Sequence, residues 1–104
     1  MKNPKILEET PPESIQILTA DSNYTIIRLT NGQTKMSGYS LNVFELLFDT
    51  KNFIRVNRSN LVNRRFISWI SKEGQIYLKN DSSLTIPRRR KTLLTDLYPT
   101  LFNL

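Results

Sequence analysis

Asn31-Gly32 lies directly between two short runs, Tyr24-Thr25-Ile26-Ile27-Arg28-Leu29 and Gln33-Thr34-Lys35-Met36-Ser37-Gly38-Tyr39, and no other feature constrains the fold as tightly. Both residues of the dipeptide tolerate the positive φ that a type I′ turn demands, so the two runs are expected to pair as an antiparallel hairpin. Similar punctuation recurs along the chain. Ala20-Asp21-Ser22-Asn23 separates Ile15-Gln16-Ile17-Leu18 from the Tyr24 run, and Asn57-Arg58-Ser59 separates Phe53-Ile54-Arg55-Val56 from Asn60-Leu61-Val62-Asn63. Residues 66–87 read as a three-stranded meander broken at Lys72-Glu73-Gly74 and at Asn80-Asp81-Ser82-Ser83. Two helical patterns interrupt the strands. Ser40 is placed to cap a short helix with Leu41, Phe44, Leu47 and Phe48 on one stripe, and Leu93, Leu94 and Leu97 recur at helical spacing before Pro99. The expected fold is mainly β, with one short internal helix and a C-terminal helix.

Composition narrows the function. The 104 residues suit one domain, and Trp69, five Phe and four Tyr supply enough apolar material for a core. Residues 1–12, with Pro4, Pro11, Pro12, Glu8 and Glu9, read as a flexible leader or linker stub, and residues 13–104 as the folded domain. Cysteine and histidine are both absent, which removes disulfides, thiolate metal sites and the usual general base. Asp49, Asp81 and Asp96 are scattered without the spacing of a metal or acid/base pair. No catalytic residue, metal or cofactor is therefore expected, and the chain is read as a non-enzyme. It has no signal core and no apolar run of about twenty residues, so a cytoplasmic protein without membrane insertion is expected.

The charge is unevenly spread. Residues 51–91 hold eleven Lys/Arg against Glu73 and Asp81, whereas the first fifty residues hold four bases and six acids, within a total net charge of +6. Such a balance favours a polyanionic partner. Two basic clusters stand out. In Phe53-Ile54-Arg55-Val56-Asn57-Arg58-Ser59, alternation puts Ile54 and Val56 on one face and Arg55 and Asn57 on the other. Arg can bond guanine O6 and N7 in a bidentate manner, Asn can pair with adenine, and Ser can reach a phosphate; a charged, solvated strand edge would show the same pattern. The second cluster, Arg88-Arg89-Arg90-Lys91, sits where the last strand meets the final helix, where backbone amides favour phosphate; its bland reading is a solvated helix face. Asp21-Ser22-Asn23 reads first as a turn, and Trp69 and Phe66 as core aromatics.

The string Phe53-Ile54-Arg55-Val56-Asn57-Arg58-Ser59-Asn60-Leu61-Val62-Asn63, followed by Ile67 and then by Ile86-Pro87-Arg88-Arg89, resembles the signature of the LytTR family of bacterial DNA-binding response-regulator output domains. The resemblance extends over residues 13–98. It implies an elongated arrangement of about ten short strands in three small antiparallel sheets, with loops entering successive major grooves of duplex DNA and no recognition helix. Carried over residue by residue, the implied contacts are Asn23, Arg58 and Arg88, with Arg89 adjacent and Arg55, Asn57 and Lys91 in support; Ser59 and Arg90 complete the expected contact set from the chemistry of the two clusters. Asn63 is expected to serve the fold as a backbone cap. Asn57 stands where the family commonly has His, and Pro87 where it commonly has Ser. The family further implies transcription regulation in a two-component system, imperfect direct repeats as targets, a second copy on the DNA and some bending. The expected receiver domain is not encoded in twelve leading residues, which implies an excised output domain or a free-standing regulator. Two other readings stay open: an RNA-binding β module, for which Tyr24, Tyr39 and Tyr77 look too scattered to form a stacking platform, and a basic adaptor for acidic protein or membrane partners.

Overall fold

A computed structural model of the chain describes residues 9–48 and 52–100. Residues 1–8 of the expected leader lie outside the described residues, as do residues 49–51 and 101–104. The described part forms eight strands: β1 (Ile15–Asp21), β2 (Tyr24–Leu29), β3 (Thr34–Ser37), β4 (Phe53–Asn57), β5 (Asn60–Asn63), β6 (Ile67–Ile70), β7 (Gln75–Leu78) and β8 (Ser83–Thr85). Two α-helices accompany them, α1 (Leu41–Leu47) and α2 (Arg88–Leu97). A five-stranded antiparallel sheet has the order β3-β2-β1-β5-β4, and a three-stranded sheet the order β6-β7-β8. The mainly β class is as expected. Among the described residues the strands number eight in two sheets, against the expected ten or so in three, and the short segments Pro12–Ser14 and Arg64–Phe66 wind into 3-10 turns. Principal extents of 37 × 27 × 23 Å make the molecule modestly elongated.

The large sheet is covered on both faces, which explains why its central strands read as continuous apolar runs. On one face Leu41, Phe44 and Phe48 of the α1 region pack on Ile15, Leu18, Ile27, Leu29, Phe53 and Leu61. On the other, Ile17, Ile54, Val56 and Val62 meet Ile70, Ile76 and Leu78 of the small sheet, together with Ile86 and Leu94. Ile15 and Leu18 share a face, against simple alternation, because a register irregularity between Ile15 and Ile17 adds a residue to β1. Phe44 is fully buried, a burial that contributes about 2–3 kcal/mol.

Several local expectations are corrected. The Asn31-Gly32 connection is a hairpin, but only Gly32 takes a positive φ, of 90°. Gly32 N–H donates to the Leu29 carbonyl at 3.0 Å and Leu29 N–H to the Gln33 carbonyl at 2.8 Å, which is a type I turn closed by a left-handed residue and not type I′. The β6–β7 and β7–β8 turns repeat this geometry, with Gly74 at φ 92° and Asp81 at φ 69°. Ser40 is the N-cap of α1 but makes no side-chain cap bond. In α2 only Leu94 of the expected stripe is buried; Leu93 and Leu97 are exposed. Trp69, expected in the core, is 48% exposed and stacks on Tyr77 at 4.4 Å. A register shift between Ile67 and Trp69 lets Ile67 and Ile70 both face the core, which turns Trp69 outward.

Candidate nucleic-acid interface

Three connections carry the expected contact residues, and the strand pairing gathers them. β1 pairs with β5 so that Thr19 lies opposite Asn60, and Ala20 N–H donates to the Ser59 carbonyl at 2.8 Å. The β1–β2 turn, Ser22-Asn23, therefore emerges beside the β4–β5 turn that carries Arg58 and Ser59. Thr19 Oγ1 also donates to Asn60 Oδ1 at 3.0 Å, which fixes the second connection against the first. The third is attached through Asn57, whose Nδ2 donates to the Thr85 carbonyl at 3.3 Å, three residues before Arg88. Asn23, Arg58 and the start of α2 thus come to one end of the large sheet from positions far apart in sequence.

The Arg58 turn is held from within. Asn57 Oδ1 accepts from Ser59 N–H at 2.9 Å and from Asn60 Nδ2 at 3.0 Å, an Asx-type closure that fixes the backbone on either side of Arg58. Asn63 does what the resemblance implies. Its Oδ1 caps the Arg64–Phe66 turn by accepting from Arg65 N–H at 3.0 Å, and its Nδ2 donates to the Ile15 carbonyl at 2.9 Å.

The nine expected contact residues divide into two sets. Asn23, Arg58, Ser59, Arg88 and Arg89 are exposed, and among the described residues their side chains make no hydrogen bond or ion pair. Arg55, Asn57, Arg90 and Lys91 are partly buried and engaged internally. Arg55 donates from Nε to the Asn57 carbonyl at 2.9 Å, from Nη1 to Asn42 Oδ1 at 3.1 Å and Glu45 Oε1 at 2.9 Å, and from Nη2 to the Arg58 carbonyl. Arg90 Nη1 donates to the Arg55 carbonyl at 3.2 Å, and Lys91 Nζ to the Lys72 carbonyl. The Arg55–Glu45 contact is the only ion pair among the described residues. Glu45 and Asn42 were not singled out by the sequence; their signal is a polar pair at i, i+3 flanking the apolar stripe of α1.

The start of α2 is electrostatically unusual. Pro87 occupies the N-cap with no side-chain cap, and the first turn holds Arg88, Arg89 and Arg90 and no acid. Cations at this end oppose the helix dipole, and the first-turn N–H groups lack intrahelical partners. A phosphate there would relieve both.

The LytTr DNA-binding domain family model matches residues 7–98, and the chain belongs to that family. Its fold is also that of a solved LytTr DNA-binding domain from Bacillus cereus, taken from a protein described as a methyl-accepting/DNA response regulator. The two share 23% identity with a TM-score of 0.74, over 85% of this chain and 84% of that one. Among curated proteins, none matches significantly. No helix among the described residues is long and apolar enough to cross a membrane.

Proposed function

We propose that this DNA-binding domain reads a specific duplex sequence and regulates transcription from it as the output element of a bacterial response regulator. Arg58 and Arg88 probe base edges in successive major grooves, Asn23 adds a contact from the β1–β2 turn, and Ser59, Arg89 and the amides at the start of α2 take phosphates. The observation that carries this reading is the convergence of two turns and the start of α2, where the exposed Arg58, Arg88 and Arg89 have no carboxylate partner among the described residues. An arginine left exposed and unpaired beside a rigid turn is available for a bidentate bond to guanine, and rigidity lowers the ordering cost of binding. Asn57, Arg90 and Lys91 act from behind, joining the central turn and the small sheet to α2. By family analogy the targets are imperfect direct repeats, two copies sit on neighbouring sites, and the DNA bends to let each set of turns engage. The protein works in the cytoplasm and has no reaction of its own.

Selection of duplexes from a random library by the full chain tests this reading. It is expected to return a motif, and Arg58→Ala is then expected to weaken binding to that motif while hardly changing affinity for random DNA. A selection without enrichment, or an equal loss on both duplexes, overturns base reading by Arg58. The pair of exposed Trp69 and partly buried Tyr77 is the feature an RNA-binding module would use, but the rings already stack on each other at 4.4 Å. Competition by single-stranded RNA at equal concentration would favour that second reading.

A further inference from the structure

Glu45 sets a carboxylate against Arg55, next to the turn that carries Arg58, where negative charge works against DNA binding. The side chain of its partner Arg55 is only 11% exposed, while that of Glu45 is 41% exposed. Arg55 spends its guanidinium on α1 through Glu45 and Asn42, and on the β4–β5 turn through the carbonyls of Asn57 and Arg58. The latter two carbonyls flank the peptide unit of Arg58. The Arg55 carbonyl in turn accepts from Arg90 of α2. One side chain thus bolts the turn carrying Arg58 to a helix on one face of the large sheet, and its backbone ties the same strand to the helix that begins at Arg88.

We infer that Arg55, oriented by Glu45, is a positioning residue for DNA recognition: it fixes the Arg58 turn and makes sequence-specific affinity depend on an acidic residue. The inference rests on the reading of Arg58 as a base contact. Its consequence runs against simple electrostatics. Loss of a carboxylate raises the net charge from +6 to +7, which should strengthen binding to any polyanion. Here the Arg58 turn loses its tie to α1 at the same time, keeping its internal bonds to Asn57 and its bond to Ala20. Without Glu45 the guanidinium of Arg55 is free to swing toward solvent, the carbonyls of Asn57 and Arg58 lose their donors, and Arg58 samples orientations that do not match a base edge. Affinity for the cognate duplex therefore falls while affinity for random DNA holds or rises.

The test uses the full chain with Glu45→Gln, Arg55→Lys and Arg58→Ala, singly and as the Glu45→Gln/Arg58→Ala double variant. Each is titrated against the selected duplex and a scrambled one, well below its melting temperature. Glu45→Gln is expected to lower cognate affinity about tenfold, the scale of losing a hydrogen bond to a charged group. It should leave the scrambled duplex unchanged or slightly tighter. In the Arg58→Ala background the same change is expected to have no further effect, because the loss travels through Arg58. In the free protein, the amide of Ser59 should exchange with solvent faster in Glu45→Gln, and Arg55→Lys, which keeps the charge but not the fork, should behave like it. Tighter binding of both duplexes by Glu45→Gln overturns the inference while leaving the Arg58 reading intact. An equal fall on both duplexes would mean only a fold-level role and overturns it too. If Arg58→Ala itself weakens both duplexes alike, base reading by Arg58 fails and the inference falls with it.

Discussion

Arg55 and Arg58 stand three residues apart in one basic cluster, yet one is sealed against α1 and the other is exposed in a turn without a partner among the described residues. Arg88 and Arg90 repeat the contrast in the second cluster, where Arg88 is exposed and Arg90 reaches back to the Arg55 carbonyl. The difference lies in backbone geometry and not in residue type. Arg55 sits within β4, where alternation directs it to the face covered by α1, while Arg58 sits beyond the strand end. A cation in a strand of a two-sided sheet is placed by whatever covers that face. A cation in a tight turn escapes it.

The contrast can be broken most directly at Arg55. Arg55→Ala removes four internal hydrogen bonds and strands Glu45 beside a cavity, so unfolding stability is expected to fall by about 2 kcal/mol, the half-exposed carboxylate regaining some water. Arg58→Ala should leave stability within about 0.5 kcal/mol, since its exposed guanidinium makes no hydrogen bond or ion pair among the described residues. Urea titration of both variants checks the pair, and similar losses would erase the distinction. In binding the ranking inverts. Arg58→Ala is expected to lower discrimination between the selected and scrambled duplexes by about 1–3 kcal/mol. For Arg89→Ala, taken as a phosphate contact, both duplexes should weaken together and the slope of log K against log salt should flatten by about one unit. An unchanged slope would remove Arg89 from the phosphate set.

Much of this architecture is legible in the sequence. The Asn57-Arg58-Ser59 turn, the meander over residues 66–87 and the two helical patterns follow from local punctuation and periodicity, and they locate the basic clusters correctly in the chain. The division of labour within those clusters is not local. Nothing near Arg55 in sequence announces that α1 will cross its face and present Asn42 and Glu45, because that contact depends on how the helix lies across the sheet. Irregularities account for the other differences. An added residue in β6 reverses the side on which Trp69 emerges, and the Asn-Gly dipeptide does not say which of its residues takes the positive φ. The convergence of Asn23 with Arg58 needs the pairing of β1 with β5, two strands separated by a hairpin, a helix and β4, and Arg88 joins them through the bond from Asn57 to the Thr85 carbonyl. Alternation within either strand carries no information about that choice.

The smallest expected effect separates charge from position. Asp81 takes φ 69° in the β7–β8 turn, at the opposite end of β8 from Thr85 and its bond to Asn57, and it occupies the site that glycine fills at positions 32 and 74 in the two turns of the same geometry. Asp tolerates the left-handed region better than most residues but still with some strain, so Asp81→Gly should gain about 0.5 kcal/mol of stability, the relief being partly offset by a more flexible unfolded chain. The same change removes one negative charge, as Glu45→Gln does, and it leaves the Arg58 turn untouched. Affinity for the selected and scrambled duplexes should therefore rise slightly and together in Asp81→Gly, while the two diverge in Glu45→Gln. If removing either acid has the same effect on both duplexes, the internal arginine does not govern the external one, because net charge alone would then account for what Glu45 does.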